Sequence, residues 1–280
     1  MSAGTPDVRS TSRQRLIGIT GSTGRVGSRV ARALADRGVS QRLLVRDLAK
    51  APSFAESVLS SYDEPAGLAG VDTLFMVSAA EHPDRVGQHL RFLDAAAEAG
   101  VARIVYTSFL GAAPDASFTL ARHHWATEEH LRGLGIPFVA LRDSLYADFL
   151  PLMRGADGVI RGPAGEGRFA PVAIDDVAAC AVSALLDPAV TGAHELTGPT
   201  LMTMSSAAAV LSAHGMPTRF EDETVEEAYA SRASYGAPDW EVEGWVTSYL
   251  AIRDGSLDRV TDGVRQLSGR EPKSLEDLLR

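Results

Sequence analysis

"RLIGITGSTGRVGSRV", residues 15–30, runs an apolar stretch into three glycines, Gly21, Gly24 and Gly27. "RLIGIT" (15–20) reads as a short buried strand. "VGSRVARALADRG" (26–38) reads as a helix with Val26, Val30, Ala33 and Leu34 on one face and Gly38 as its stop. Glycines between a strand and a helix serve three separate needs. Gly21 permits the tight turn, Gly24 lets an anion approach the backbone, and Gly27 lets the helix lie close to the strand. Backbone N–H groups over Ser22, Thr23, Gly24, Arg25 and Val26 then face a dinucleotide pyrophosphate, with Arg25 adding positive charge. The competing reading is a glycine-rich turn that packs and binds nothing. Glycines serve a helix start poorly without a ligand, so the binding reading is taken.

From this loop outward, strand and helix alternate. "RLLV" (42–45), "DTLFMVS" (72–78), "RIVYTS" (103–108) and "PFVALR" (137–142) read as buried parallel strands. "HPDRVGQHLRFLDAAAEAG" (82–100) and "TEEHLRGLG" (127–135) read as intervening helices. This rhythm predicts an α/β fold with a doubly wound parallel sheet and a nucleotide-binding domain over 15–155. Residues 1–14, polar and without an apolar core, read as a flexible tail. Residues 156–280 read as a smaller, mostly helical lobe over the C-terminal edge of the sheet. Within it, 171–198 returns to the first domain through the helix "DDVAACAVSALL" (175–186) and a strand in "GAHELTG" (192–198).

Nineteen residues past Gly27 stands "VRD". An acidic residue at the end of this second strand would take a ribose 2′-hydroxyl, and an arginine would take a 2′-phosphate. Arg46 comes first, Asp47 follows, and Lys50 stands one turn on. The guanidinium favours NADP(H), with NAD(H) as the alternative. Against this, Arg46 could be a plain surface cation.

The net charge is −9, and only two of the 27 basic side chains are lysines, Lys50 and Lys273. An acidic chain without a basic run is unsuited to nucleic acid or to an anionic membrane surface. No apolar run reaches the length of a membrane span. The single cysteine, Cys180, excludes an internal disulfide and a cysteine metal cluster. Its apolar setting reads as an inert buried thiol in a cytoplasmic protein. No metal site is expected: Asp175 and Asp176 lack histidines at ligand spacing and read as caps of a helix beginning near Val177.

"TGSTGRVG", "LLVRD", "LFMVS", "IVYTS", "HHWATEEHLRGLGIPFVALRDSLYADF" and "LSGREPKSLEDLL" together resemble the atypical short-chain dehydrogenases of the NmrA-like family. Within it the chain is most similar to the branch of NADPH:quinone oxidoreductases (type 2) and triphenylmethane reductases. The resemblance spans about 15–280, with "LRDSLYADF" its most branch-specific piece. It implies a Rossmann sheet with a C-terminal substrate lobe, NADPH binding, and hydride transfer to quinones or dyes. It also implies that Tyr62, Ser78 and Ala79 lie along the cofactor, and that Thr107 and Ser108 lie under the nicotinamide. For Ser78, Thr107 and Ser108 the plain alternative is a capping hydroxyl. The family's Asp before the tyrosine is Ser61 here, a departure that bears on adenine binding.

None of the six tyrosines has a lysine four residues on, so the Tyr-x-x-x-Lys proton relay of conventional short-chain dehydrogenases is absent. His124 stands where related reductases of the isoflavone type place their lysine and is the candidate proton donor, with a structural role as its alternative. Tyr146 is the second candidate for the catalytic set, chiefly as a pocket-shaping group. Phe109, Leu145, Tyr146, Phe149 and Leu150 are the candidate acceptor walls, with ordinary core packing as the alternative. Glu128 reads as a network carboxylate, and His123 and His130 as helix decoration.

The expected protein is therefore an NAD(P)H-dependent oxidoreductase acting on a small-molecule acceptor, with a homodimer compatible. Two alternatives stand beside it: a non-catalytic NADP(H)-binding redox sensor, and a reductase of specialised metabolism. An open aromatic pocket over the nicotinamide favours reduction, and a filled one favours sensing.

Overall fold

A computed structural model describes residues 15–280; the tail expected over 1–14 lies outside the described residues. β1 (Ile17–Thr20) is buried at every position and sits mid-sheet. β2 (Gln41–Val45) and β3 (Glu56–Leu59) follow on one side, and β4 (Thr73–Met76), β5 (Arg103–Phe109) and β6 (Phe138–Asp143) on the other. β7 (Val159–Gly162) leaves the sheet, and β8 (Gly192–Leu196) rejoins it beside β6. The order β3-β2-β1-β4-β5-β6-β8 is parallel throughout. Ile17 of β1 pairs with Gln41 on one side and with Thr73 on the other. The strand order therefore reverses beside β1, and this reversal opens a crevice at the strands' C-terminal ends.

Both faces of the sheet are covered, which explains why β4 and β5 are buried from end to end. α1 (Arg25–Ala35) packs on one face against α4 (Ile174–Leu186), and α2 (Arg85–Glu98) lies beside α3 (Thr119–Leu134) on the other. A third apolar cluster joins Phe109 and Leu110 to residues of α5 (Met204–Ala213) and α7 (Asp239–Arg253). β9 (Arg219–Asp222) pairs in parallel with β7 outside the main sheet. α6 (Val225–Arg232), α8 (Gly263–Ser268) and α9 (Leu275–Leu278) complete the chain. No helix among the described residues is long and apolar enough to cross a membrane.

One expectation is corrected here. The fourth helix begins at Ile174, three residues before Val177, and neither Asp175 nor Asp176 caps it. The Ile174 N–H donates instead to Oδ2 of Asp148 (2.9 Å). Asp175 receives Arg29 Nε (2.6 Å) and Lys273 Nζ (2.7 Å), and Asp176 receives the Lys273 N–H (2.7 Å). Cations on α1 and on the C-terminal segment take Asp175, and a backbone N–H of that segment takes Asp176, so neither carboxylate turns to the helix backbone. Cys180 is buried against the Val264 carbonyl, and burial pushes its thiol up to about 12.

Candidate active site

The glycine loop is shaped by contact as well as by torsion. Gly21 has φ +63°, and its carbonyl accepts from the Gly24 N–H at 2.8 Å. A Cβ on Gly27 would stand 2.2 Å from the Gly21 carbonyl oxygen, so only glycine lets α1 lie this close to the turn. Gly24 is the extended N-cap residue of α1, and no side chain caps the helix start. Inside the same turn the Ser22 hydroxyl is buried with no hydrogen-bond partner. Uncapped N–H groups and an orphaned hydroxyl at a positive helix pole suit a bound phosphate group.

A groove of about 360 Å³ runs from this loop, lined among others by Gly21, Thr23, Gly24, Arg46, Tyr62, Ser78 and Ala79. Arg46 and Asp47 have different local surroundings. Asp47 accepts from the Ala49 N–H at 2.9 Å and caps the short 3-10 turn Leu48–Lys50, while Arg46 faces the groove. Lys50 does not line the groove: its ammonium lies 3.5 Å from Asp47 on the exposed side of that turn. Ser61 lines the groove and uses its hydroxyl to accept from the Glu64 N–H at 2.9 Å. Tyr62 braces strand ends more than it meets solvent. Its hydroxyl lies between Thr20 Oγ1 (2.8 Å) and the Val77 carbonyl, and burial pushes it up to about 12.

Val26 packs in the core, and Arg25 sets its guanidinium 4.8 Å from the Phe149 ring centroid; neither lines the groove. Thr107 and Ser108 also stay out of both cavities. Thr107 Oγ1 accepts from the Ser78 N–H (2.7 Å), and the Ser108 hydroxyl donates to Glu128 (2.6 Å). Their strand end reaches the crevice, but pairing draws both hydroxyls inward. Glu128 is wholly buried and also receives Arg142 (2.7 and 2.9 Å) and Arg132 (2.9 Å). His130 pairs with Asp94 at 2.7 Å.

At Ser78, Ala79 and Glu81 the groove meets a second cavity of about 350 Å³. Its walls include Phe109, Leu145, Tyr146, Phe149 and Leu150, and α7 roofs it with Gly244, Trp245, Ser248 and Tyr249. The junction is held by backbone bonds: the Ala79 N–H donates to His89 Nε2 (2.8 Å), and Arg85 Nε donates to the Ala79 carbonyl (2.8 Å).

Asp143, Tyr146 and His124 are among the titratable groups that face this cavity. Tyr146 donates to Asp143 Oδ2 at 2.6 Å. Burial pushes the Asp143 carboxyl up to about 8, which keeps it neutral near pH 7, and burial beside Asp143 raises the Tyr146 phenol well above its ordinary value. His124 is only 6% exposed; its Nδ1 lies 2.9 Å from the Tyr106 hydroxyl and its Nε2 is 3.3 Å from Arg85 Nη2. Burial, with Arg85 next to it, holds the His124 imidazole well below its usual range, so it stays uncharged. A neutral ring bonded at both nitrogens has no proton to spare for an acceptor.

Sequence reasoning missed Arg85, Asp143 and Trp245. An acidic residue ending a buried strand in "LRD" was the available signal for Asp143. For Arg85 it was an arginine set with His89 and Phe92 on the inward face of its helix.

The chain matches the model of the NmrA-like family over residues 13–230 and belongs to that family. It is 29% identical to the NAD(P)H azoreductase of Xenophilus azovorans, over 95% of this chain and 97% of that one. It is 33% identical to the (4-alkanoyl-5-oxo-2,5-dihydrofuran-3-yl)methyl phosphate reductase of Streptomyces griseus, over 94% and 96% of the two chains. The crystal structure of the NADPH-dependent quinone oxidoreductase QOR2 from Escherichia coli, complexed with NADPH, superposes with a TM-score of 0.84 at 28% identity. That superposition covers 94% of this chain and 98% of the other.

Proposed function

We propose that this NmrA-like protein is an NAD(P)H-dependent oxidoreductase that reduces quinones, azo dyes or related conjugated acceptors, with NADPH the preferred reductant. The observation that carries the reading is the join at Ser78, Ala79 and Glu81: the groove beside the glycine loop opens there into a hollow aromatic cavity. A sensor needs no such hollow. The azoreductase, the quinone oxidoreductase and the furanone phosphate reductase are all reductases by name, and two of those names carry the nicotinamide cofactor.

The backbone from Gly21 to Gly27 would hold the pyrophosphate, with the Ser22 hydroxyl beside it, and Arg46 would hold the 2′-phosphate. When bound, NADPH supplies hydride. The chain orients the acceptor between Phe109, Tyr146, Phe149 and Trp245, and excludes water from the reacting face. Proton delivery passes to Asp143 in place of His124: the neutral carboxyl faces the cavity, and Tyr146 holds one of its oxygens as a hydrogen-bond acceptor. An acid titrating close to working pH is suited to that task.

The lobe from 156 onward supplies the roof in this reading, while 171–198 serves the nucleotide-binding unit. The acceptor is a small molecule, and the setting is the reducing cytoplasm. The test is nicotinamide absorbance: purified protein and NADPH, with quinones and azo dyes added in turn. Protein-dependent oxidation supports the reductase; tight NADPH binding with no consumption on any acceptor overturns it.

A further inference from the structure

Arg85 opens α2 at the positive end of the helix dipole, an unfavourable place for a cation. It is 3% exposed, and no carboxylate among the described residues lies within ion-pair distance. Nε donates to the Ala79 carbonyl (2.8 Å) and Nη2 to His124 Nε2 (3.3 Å), while Nη1 is buried with no partner. A buried guanidinium with no carboxylate in ion-pair contact is costly, even though Glu81 and Asp143 attract it from a distance. An apolar side chain would serve packing better, and guanidinium stays charged where lysine would not. Arg85 lines the acceptor cavity next to Ala79 and Glu81, where the cofactor groove enters.

Resting on the reductase reading, we infer that Arg85 Nη1 receives a negatively charged oxygen of the acceptor, so that the cavity selects carbonyl-bearing or enolate-bearing acceptors and disfavours cationic dyes. On hydride arrival a quinone gains two electrons and one hydrogen and becomes the hydroquinone monoanion. Its oxygen charge rests against Arg85, one proton from Asp143 completes the hydroquinone, and NADPH is consumed as NADP⁺. The Asp143 carboxylate left behind lies in the same cavity as the guanidinium, which stabilises it until solvent reprotonates it. His124 is a positioning residue here: only a neutral imidazole can accept from Arg85.

The test uses the full chain and two readouts. The first is equilibrium binding in the presence of NADP⁺ by tryptophan quenching, Trp245 being in the cavity wall. Its probes are 2-hydroxy-1,4-naphthoquinone, an anion at neutral pH, and its uncharged O-methyl ether. The native protein is expected to hold the anion about tenfold more tightly than the ether, as a charged hydrogen bond would give. Arg85→Met is expected to erase the difference and Arg85→Lys to keep part of it. The second readout is turnover: Arg85→Met is expected to lower kcat/KM for 1,4-naphthoquinone about 100-fold, the usual cost of losing an oxyanion donor. For a cationic triphenylmethane dye the same change is expected to raise kcat/KM rather than lower it, because the like charge that disfavours the dye is gone. Equal native affinity for the two probes, or equal losses on quinone and dye, overturns the inference. If the native protein consumes no NADPH with any acceptor, the reductase reading fails, and the anion-to-ether ratio still decides the role of Arg85. If Arg85→Met does not fold, that native ratio together with Arg85→Lys decides it.

Discussion

Tyr146 donates its hydroxyl hydrogen to Asp143 Oδ2 across 2.6 Å, within a cavity that both residues line. The carboxyl that accepts it titrates at about 8, with burial the largest cause and Tyr146 and Arg85 opposing it. Quinone turnover should therefore be level below about pH 8 and fall above it, as Asp143 loses its proton. Asp143→Asn should lower the plateau and remove that limb, measured as kcat against pH.

The same carboxyl makes a stability prediction. Its folded pKa is raised above the unfolded one, so the fold holds an extra proton between about 3.9 and 8. The associated stability is complete below the unfolded value and is lost as pH rises through the folded value, at up to about 1.4 kcal/mol per pH unit. Across this window the native protein should lose Tm relative to Asp143→Asn; parallel melting curves for the two would contradict the assignment.

Arg46 faces the groove while Asp47 is occupied in its turn. Arg46→Ala should raise KM for NADPH about tenfold or more, the loss of one charge-assisted hydrogen bond, and leave KM for NADH within about twofold. Equal losses with both cofactors would remove the 2′-phosphate role.

Gly24 and Gly27 should separate binding from folding. Gly27→Ala drives a methyl to 2.2 Å from the Gly21 carbonyl oxygen. Overpacking of this kind costs about 1–3 kcal/mol, or several degrees of Tm. Gly24→Ala meets the same oxygen only at 3.3 Å, so the fold should hold while NADPH affinity falls. Thermal melting and NADPH titration, run on both variants, read the two effects apart.

Glu128 gathers Ser108, Arg132 and Arg142 around a fully buried carboxylate. Glu128→Ala strands half-buried Arg142 without its partner and should cost about 3–5 kcal/mol. Urea unfolding measures it, and a loss below about 1 kcal/mol would show the network to be dispensable.

The glycine loop was legible in sequence because its demands are local: three positions where a side chain cannot fit or a ligand must approach. β4 and β5 were legible because sheet faces covered on both sides leave continuous apolar runs. β3, "ESVL" at the sheet edge, carries no such run and was missed. The choice between Arg46 and Asp47 hinges on which one the following turn consumes, and spacing does not encode that. Spacing likewise does not encode that the 3-10 turn sets the Lys50 ammonium beside Asp47 and outside the groove lining. Thr107 and Ser108 stand at the right strand end, yet Ser78 and Glu128, distant in sequence, claim their hydroxyls. Trp245 reaches the cavity from a helix that begins more than 90 residues after Asp143, so only tertiary packing reveals it.

The groove and the acceptor cavity share only Ser78, Ala79 and Glu81, and the first two are held through their backbones. On the proposed reading, Arg46 and the other cofactor-selecting groups lie on one side of that isthmus, and the walls that would select an acceptor lie on the other. Selection can therefore act on diet without disturbing redox currency. Over evolutionary time such a scaffold can redeploy to new compounds through its roof helix alone, and changes at Arg46 and at Trp245 should combine as independent inheritances.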